Sequence, residues 1–482
     1  MVFRKSSQDD KPMLGLKTGS FERRLSLTRA GVVAGGRLAS SMAGSMFSGK
    51  EKKAQSRRDA YAKQAAYLVK ELSHLKGSVV KIGQVMALYG EHFLPPEVTE
   101  ALHTLEDQNL ALDWRSIEKV LIDQLGHDKL DQLEIEHTPI GAASLGQVHR
   151  ATRKSDGRQL CLKIQYPGVA AAVDSDLDAV ASILKVARLV SRGPEFNEWL
   201  EEVRSMMHRE VDYELELRTT RRFHEKLKDD HRFIVPEVFP ELSGSQVMCM
   251  SYESGISPNH AKVHALPQSR RNDLAKAALE LFLEELFVWG ELQTDPNFGN
   301  YRVRLGDEGD GPAEPDKLIL LDFGAVQRYP ASFLDPVCEM IRASYERDLD
   351  AVVSGAVELR FMRAEWPMPV LCEFAEVCMA TLEPLMKNID GSQPGVVLND
   401  EGQYCWKQSD LPSRIARRAT RSAISRYFKI PPKEFVFLNR KLIGVYTFIA
   451  VMEAEFNGAP LLEKYLYDED VKTRSEGFRA SA

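Results

Sequence analysis

"QTDPNFGN", residues 293–300, crowds Asp295, Asn297 and Asn300 between an apolar helical stretch and a β-prone run. Aspartate and asparagine gather in turns for backbone reasons alone, because their side chains imitate a turn and tolerate unusual dihedrals. By itself the octapeptide is a turn. Its neighbour changes the reading. "KLILLDFG" (317–324) is a short apolar strand with Asp322 at its mouth and Gly324 permitting a sharp bend. It follows "NYRVRL" (300–305) after the acidic, Gly/Pro-rich "GDEGDGPAEPD", which predicts a hairpin with the two polar motifs at its ends. A carboxylate beside a buried strand is costly unless a cation compensates it. Asp295, Asn300 and Asp322 together offer hard oxygen ligands of the kind that hold Mg²⁺ between protein and phosphates.

Upstream, "LCLKIQ" alternates so that Leu160 and Leu162 share one face of a strand and Cys161 and Lys163 the other. Alone, Lys163 reads as a sheet-edge lysine reaching for water. It is preceded by "PIGAASLGQVHRA", a hairpin with the small residues Gly141, Ala142, Ala143 and Ser144 at its tip, whose backbone N–H groups could approach a polyphosphate. It is followed by "HREVDYELELRTTRRF", read as part of one long helix over about 196–228, which carries Glu210, Asp212, Glu214 and Glu216. On that helix Asp212 and Glu216 would share a face. Small-residue loop, strand lysine, helix glutamate, Asp…Asn and then DFG is the order of parts in protein kinases. The order assigns Asp295 as base or positioning residue, Asn300 and Asp322 as magnesium ligands, Lys163 as phosphate anchor and Glu216 as its partner.

The rest of the chain bounds this reading. Its 482 residues are 44% hydrophobic and 28% charged, ordinary globular composition with length for two lobes and extensions. Six scattered cysteines form no CxxC pair and read as reduced thiols, and no HExxH is present, which argues against a zinc hydrolase. No apolar run approaches the ~20 residues of a membrane span. Residues 1–60 hold 13 Lys/Arg against 5 Asp/Glu, whereas the whole chain carries −7. A basic leader on an acidic body fits either a solvated tail or an arm for an anionic surface, and no nucleic-acid motif accompanies it. "SRIARRATRSAISRYFKI" (413–430) places Arg414, Arg417, Arg418 and Arg421 on one helical face, which fits anionic lipid or a bundle helix with a basic outer face. Further expected helices cover 51–90, 113–126 and 176–191, with strands at 233–240 and 246–255 and mostly helix beyond 268.

In detail the motifs resemble the UbiB/AarF/ADCK (ABC1-type) atypical kinases, in the branch associated with ubiquinone biosynthesis. That family carries a KxGQ helix, matched by Lys81, Gly83 and Gln84 in "KIGQ"; an alanine-rich loop, matched by Ala142-Ala143-Ser144; and an ExD motif before the pairing glutamate, matched by Glu210 and Asp212 before Glu216. "QTDPN" and "PPKEFVFLNRKLIGV" (431–445) are also family-like, and the similarity spans about residues 60–450. Gly141 stands where the family usually has a third alanine, and Ser251 where a hinge glutamate is common, leaving Met250 and backbone groups at the hinge. The paired membrane-spanning helices of some bacterial relatives have no counterpart, so peripheral membrane contact is the expectation.

The resemblance implies an α+β, bilobal protein-kinase-like fold with a helical N-terminal extension carrying the KxGQ motif. The expected division is a basic leader (1–55), the helical extension (56–130), an N-lobe with inserted helices (131–256), a mostly helical C-lobe (257–470) and a tail (471–482). It implies ATP or ADP and Mg²⁺ at the site, and pairing of Lys81 with the ExD acids in a cleft poorly open to polypeptides. The implied function is an ATPase or small-molecule or lipid phosphotransferase at a membrane surface, supporting ubiquinone or a related isoprenoid lipid. Its implied partners are nucleotide, anionic lipid, an isoprenoid quinone precursor and ubiquinone-biosynthesis enzymes, with a cytoplasmic, peripheral inner-membrane location. The alternative is a nucleotide-gated lipid-binding or chaperone-like module with little phosphotransfer. An aminoglycoside- or choline-kinase-like enzyme is disfavoured by the KxGQ helix and "QTDPN".

Overall fold

A computed structural model of the chain describes residues 78–89, 94, 96–103, 111–186, 190, 193–295, 297–306, 314–415, 417 and 433–481. The basic leader, the first part of the 51–90 helix, the tip of the 300–324 hairpin and most of the basic 413–430 segment lie outside these residues. The chain divides into two compact units, residues up to Glu214 with Phe239–Met250, and Leu215–Val238 with Ser251 onward. The chain passes between the units at Glu214/Leu215, Val238/Phe239 and Met250/Ser251, so Leu215–Val238, expected within the N-lobe, belong to the second unit.

The first unit is built on a five-stranded sheet of β1 (Leu133–Ile135), β2 (Gly141–Ala142), β3 (Gly146–Arg153), β4 (Gln159–Gln165) and β6 (Val247–Ser251), in the order β1-β3-β4-β6 with β2 paired to β3. β4 runs two residues past Lys163, and its alternation is as the sequence implies: Leu160, Leu162 and Ile164 are fully buried while Cys161 and Lys163 are half-buried on the other face. Helices α1 (Ser78–Tyr89), α2 (Pro96–His103), α3 (Trp114–Leu125), α4 (Val169–Val186) and α5 (Pro194–Glu210) belong to the same unit. Val79, Ile82 and Met86 of α1, Ile117 and Leu121 of α3, and Leu177 and Val203 of α4 and α5 share one apolar core with β4. The helices ahead of the sheet are thus packed into its core, so they are not a separate layer of their own. The N-terminus of α3 is set by Asp113, whose side chain accepts the Ser116 N–H at 3.1 Å.

One expected element is corrected. The single helix over 196–228 is two helices, α5 and α6 (Tyr213–Leu227), broken at Val211 and Asp212. The Val211 carbonyl is drawn to the sheet, where it accepts Gln165 Nε2–H at 2.9 Å. Gln165 thus anchors the break between the two helices to the sheet. Asp212 consequently precedes α6 and does not share a helical face with Glu216. The strand expected over 233–240 is also shorter: Phe233–Ile234 (β5) pairs in parallel with Leu318–Ile319, and the rest of the stretch holds a single-residue bridge at Val238.

The second unit is mostly helical. Helix α7 (Gln268–Glu284) passes into one π-turn, Glu285–Trp289, and Gly290 in the left-handed region (φ 62°) then releases the chain into β7 (Glu291–Gln293). The predicted hairpin is present as β8 (Tyr301–Arg304) antiparallel to β9 (Lys317–Leu320), and β10 (Val326–Arg328) pairs with β7. Helices α8 (Ala331–Glu346), α9 (Leu349–Glu358), α10 (Met368–Thr381), α11 (Lys433–Val451), α12 (Ala459–Tyr467) and α13 (Glu469–Ser481) complete it. Among the described residues no helix is long and apolar enough to cross a membrane.

Candidate active site

In the first unit the sheet register aligns the parts that the sequence left apart. Gly141 pairs with Val148 and Val148 with Lys163, so the small-residue hairpin and the lysine occupy one row across β2, β3 and β4. The tip is closed by the Ala143 N–H donating to the Gly146 carbonyl at 2.8 Å, with Gly141 and Ala143 exposed and Ala142 and Ser144 half-buried. Lys163 Nζ lies 5.1 Å from the centre of the Tyr213 ring, a cation–π distance. Tyr213 is buried and had no place in the sequence reading. Its hydroxyl also abuts Gly146, where an added Cβ would stand 2.9 Å from that oxygen and 2.4 Å from the Ile164 carbonyl oxygen. Gly146 is therefore obligatory, because β4 and Tyr213 approach where any side chain would sit. A Cβ at Gly141 would meet nothing within 4 Å. Gly146→Ala should cost about 1–3 kcal/mol, the usual range for an overpacked site, whereas Gly141→Ala should melt with the wild type. Urea unfolding of the two variants checks the contrast.

On α1, Lys81 Nζ lies 2.5 Å from Glu210 Oε1 at the end of α5. Gly83 is buried and Gln84 half-buried on the same helix. At the end of β6, Met250 is buried, and the Ser251 hydroxyl accepts the Glu237 N–H at 3.0 Å and donates to Glu253 Oε1 at 2.7 Å. Serine at this position is thus committed to holding the chain.

In the second unit the polar motifs converge. Asp295 Oδ2 accepts Asn300 Nδ2–H at 2.9 Å and Asp295 Oδ1 accepts a guanidinium N–H of Arg440, on α11, at 3.0 Å. Gln293 joins the two motifs: its Oε1 accepts the Asp295 N–H at 3.0 Å and its Nε2 donates to the Asp322 carbonyl at 3.2 Å. A second tie runs from the Leu321 N–H to the Asn300 carbonyl at 2.9 Å. Thr294 donates both its N–H and its hydroxyl to the Ala325 carbonyl, at 3.2 and 2.8 Å. Asn297 shapes the turn: its side chain accepts the Gly299 N–H at 2.8 Å and its carbonyl the Asn300 N–H at 3.0 Å.

Asp322 Oδ1 accepts the Gly324 N–H at 3.0 Å. A Cβ on Gly324 would stand 3.4 Å from that oxygen and 3.6 Å from Glu216 Oε2, so the two carboxylates flank the same point. Glu216 is only 2% exposed, and its charge at that depth calls for cationic company. Phe323 packs on Phe223 of α6 with ring centres 4.8 Å apart, which ties the DFG turn to the helix that carries Glu216.

Beneath this layer lies a second that the sequence reading missed. Lys441 Nζ meets Glu285 Oε2 at 2.8 Å, with the two side chains 3% and 2% exposed. Burial works against the Lys441 ammonium, but the Glu285 carboxylate and the Tyr301 hydroxyl outweigh it and hold its pKa above the ordinary lysine value. At Glu291 burial also opposes charge, and Lys226, Arg222 and Arg328 outweigh it to lower the carboxyl below its usual value. The visible signal for Lys441 was two adjacent cations, Arg440-Lys441, inside the otherwise apolar "FVFLNRKLIGVYTFIAV".

The donor set fits magnesium. Asn300 turns its amide nitrogen to Asp295, which leaves its amide oxygen as a donor for a hard cation. Among the described residues there is no cluster of three or more His, Cys, Asp or Glu groups suited to a metal. One carboxylate and one carbonyl with substrate phosphates is the manner in which magnesium, rather than a caged transition metal, is held.

Residues 104–356 match the ABC1 atypical kinase-like domain. The mitochondrial atypical kinase coq-8 of Caenorhabditis elegans is 30% identical over 408 residues, covering 84% of this chain and 51% of that protein. The mitochondrial atypical kinase COQ8B of Danio rerio is 30% identical over 394 residues, 82% of this chain and 59% of that one. The chain thus spans about half the length of the curated relatives it matches. Among solved structures, Rv3197 of Mycobacterium tuberculosis, determined as a complex with erythromycin, superposes with a TM-score of 0.55 at 23% identity. It covers 86% of this chain and 98% of its own, a likeness of fold.

Proposed function

Because the chain belongs to the ABC1 atypical kinase-like domain family, we propose that it binds ATP with magnesium and transfers or hydrolyses the terminal phosphoryl group, in support of ubiquinone or related isoprenoid-lipid synthesis at a membrane surface. The observation that carries the reading is the Asp295–Asn300 hydrogen bond, linked through Gln293 to Asp322. In it Asp295 is the proton acceptor and Asn300 and Asp322 are the hard oxygen donors. In this reading Lys163 and the backbone of Gly141–Ser144 bind phosphates, Met250 borders the base, and Glu216 is the acid that Lys163 needs. Lys81, Gly83, Gln84, Glu210 and Asp212 shape access to the site.

The step runs as follows. A hydroxyl oxygen, from water or an acceptor alcohol, forms a bond to the terminal phosphorus, and its proton passes to Asp295. The bond from that phosphorus to the bridging oxygen breaks, its electron pair leaving on ADP. Magnesium, when bound by Asn300 and Asp322, supplies positive charge to the phosphate oxygens. The protein's own share is position: Asn300 fixes the rotamer of Asp295, and Gln293 fixes the spacing of the two loops.

The test is ADP formation by the full chain in MgATP, with and without anionic vesicles carrying an isoprenoid phenol. Magnesium-dependent turnover that rises with the vesicles supports the proposal. Nucleotide binding without turnover in either condition replaces it with the nucleotide-gated module.

A further inference from the structure

Phosphoryl transfer gathers negative charge around the attacked phosphorus, and its proton acceptor must face that charge in one fixed orientation. The segment 293–300 carries no lysine or arginine to do this. Two positions after Asp295 stands Asn297, whose side chain is used on the Gly299 N–H. The cation on Asp295 instead arrives from helix α11, as Arg440, 145 residues downstream.

That helix is fixed around the loop by two further residues. Lys441, the next residue, is pinned by the buried pair to Glu285 in the π-turn that leads into β7. Two turns further, Phe448 stacks on Phe298 at 6.1 Å and packs at a tilt against Tyr301 at 5.6 Å. Arg440 therefore meets Asp295 from a backbone whose register is already set. Asn300 holds one carboxylate oxygen at 2.9 Å and Arg440 the other at 3.0 Å, a two-point hold that fixes the plane of the group.

We propose that Arg440 is a positioning residue for phosphoryl transfer, holding the Asp295 carboxylate in register with the loop from α11. The inference rests on the phosphotransfer reading above. The Arg440 and Asp295 side chains are 20% and 25% exposed, and a merely structural role predicts a loss of stability at unchanged kcat, whereas a positioning role predicts the converse.

In the full chain, Arg440→Ala should lower kcat for ADP formation about 10- to 100-fold, the usual effect of losing an orienting partner, with KM for ATP and the melting temperature nearly unchanged. Arg440→Lys should recover part of the loss, since an ammonium restores the charge without the planar fork. In an Asp295→Asn background, Arg440→Ala should lower the residual rate no further, because the group it positions is gone. Should Arg440→Ala fail to fold, Arg440→Lys decides: a reduced kcat at unchanged KM supports the role and a wild-type kcat overturns it. A wild-type kcat in Arg440→Ala, or a full additional loss in the Asp295→Asn background, overturns the inference alone. Absence of turnover from the wild type overturns the phosphotransfer reading and this inference together.

Discussion

Asp295→Asn is expected to lower ADP formation by about 10²–10⁴-fold, the range lost with a general base, while nucleotide still binds. The substitution keeps shape and one hydrogen-bonding oxygen but removes the charge that accepts the proton. Asp295 is half-buried, and its backbone N–H remains tied to Gln293. The thermal midpoint should accordingly move by only a few degrees. Asp322→Ala should abolish turnover by a separate route, through loss of the magnesium ligand and of the acceptor for the Gly324 N–H. The two variants are told apart by the magnesium dependence of nucleotide binding, which Asp295→Asn should retain and Asp322→Ala lose. Wild-type turnover in both would remove the assigned chemistry.

Lys441→Met should be the most destabilising single change among the residues discussed. It leaves Glu285 buried without its cation, and breaking a buried pair from one side typically costs about 3–5 kcal/mol. Replacing both members, Lys441→Met with Glu285→Leu, should recover most of that loss, because neither charge is then stranded. The pH dependence follows from burial, which pushes the Glu285 carboxyl up and is opposed mainly by Lys441. Without Lys441, a carboxyl with a folded-state pKa above its unfolded value penalises the fold most above that folded pKa. The penalty diminishes as pH falls through it and the group takes up a proton. Denaturant unfolding of Lys441→Met at pH 8 and pH 5.5 should therefore show a smaller deficit, relative to wild type, at the lower pH. An equal deficit at both would mean that Glu285 does not become the stranded charge.

The parts that motifs fix through local chemistry were legible in the sequence. The strand bearing Lys163 was read from two-residue alternation, the 300–324 hairpin from its turn-rich centre, and the Asp295–Asn300 and Asp322 motifs from polar residues at the two ends of that hairpin. The break at Val211 was not, because nothing local marks it. The competing acceptor is filled by Gln165, a strand residue 46 positions away in sequence. For the same reason Tyr213 was invisible as the ring beside Lys163, being one more aromatic in a charged helix. Gln293 was quoted within its motif yet assigned nothing, since its value lies in reaching two loops at once. Arg440 and Lys441 were inside a segment recognised as family-like, but helical periodicity places charges only on faces and does not name their distant partners.

The hold on Asp295 also has a consequence for biosynthesis. A ribosome releases the 293–300 loop long before it has made α11, so a nascent chain stalled short of residue 433 contains both polar motifs but lacks Arg440, Lys441 and Phe448. Such a fragment would carry both polar motifs of the site and leave its central carboxylate held by Asn300 alone. Competence for the reaction would then be acquired only once Lys433–Val451 has been made, by a helix that closes on a loop translated well before it.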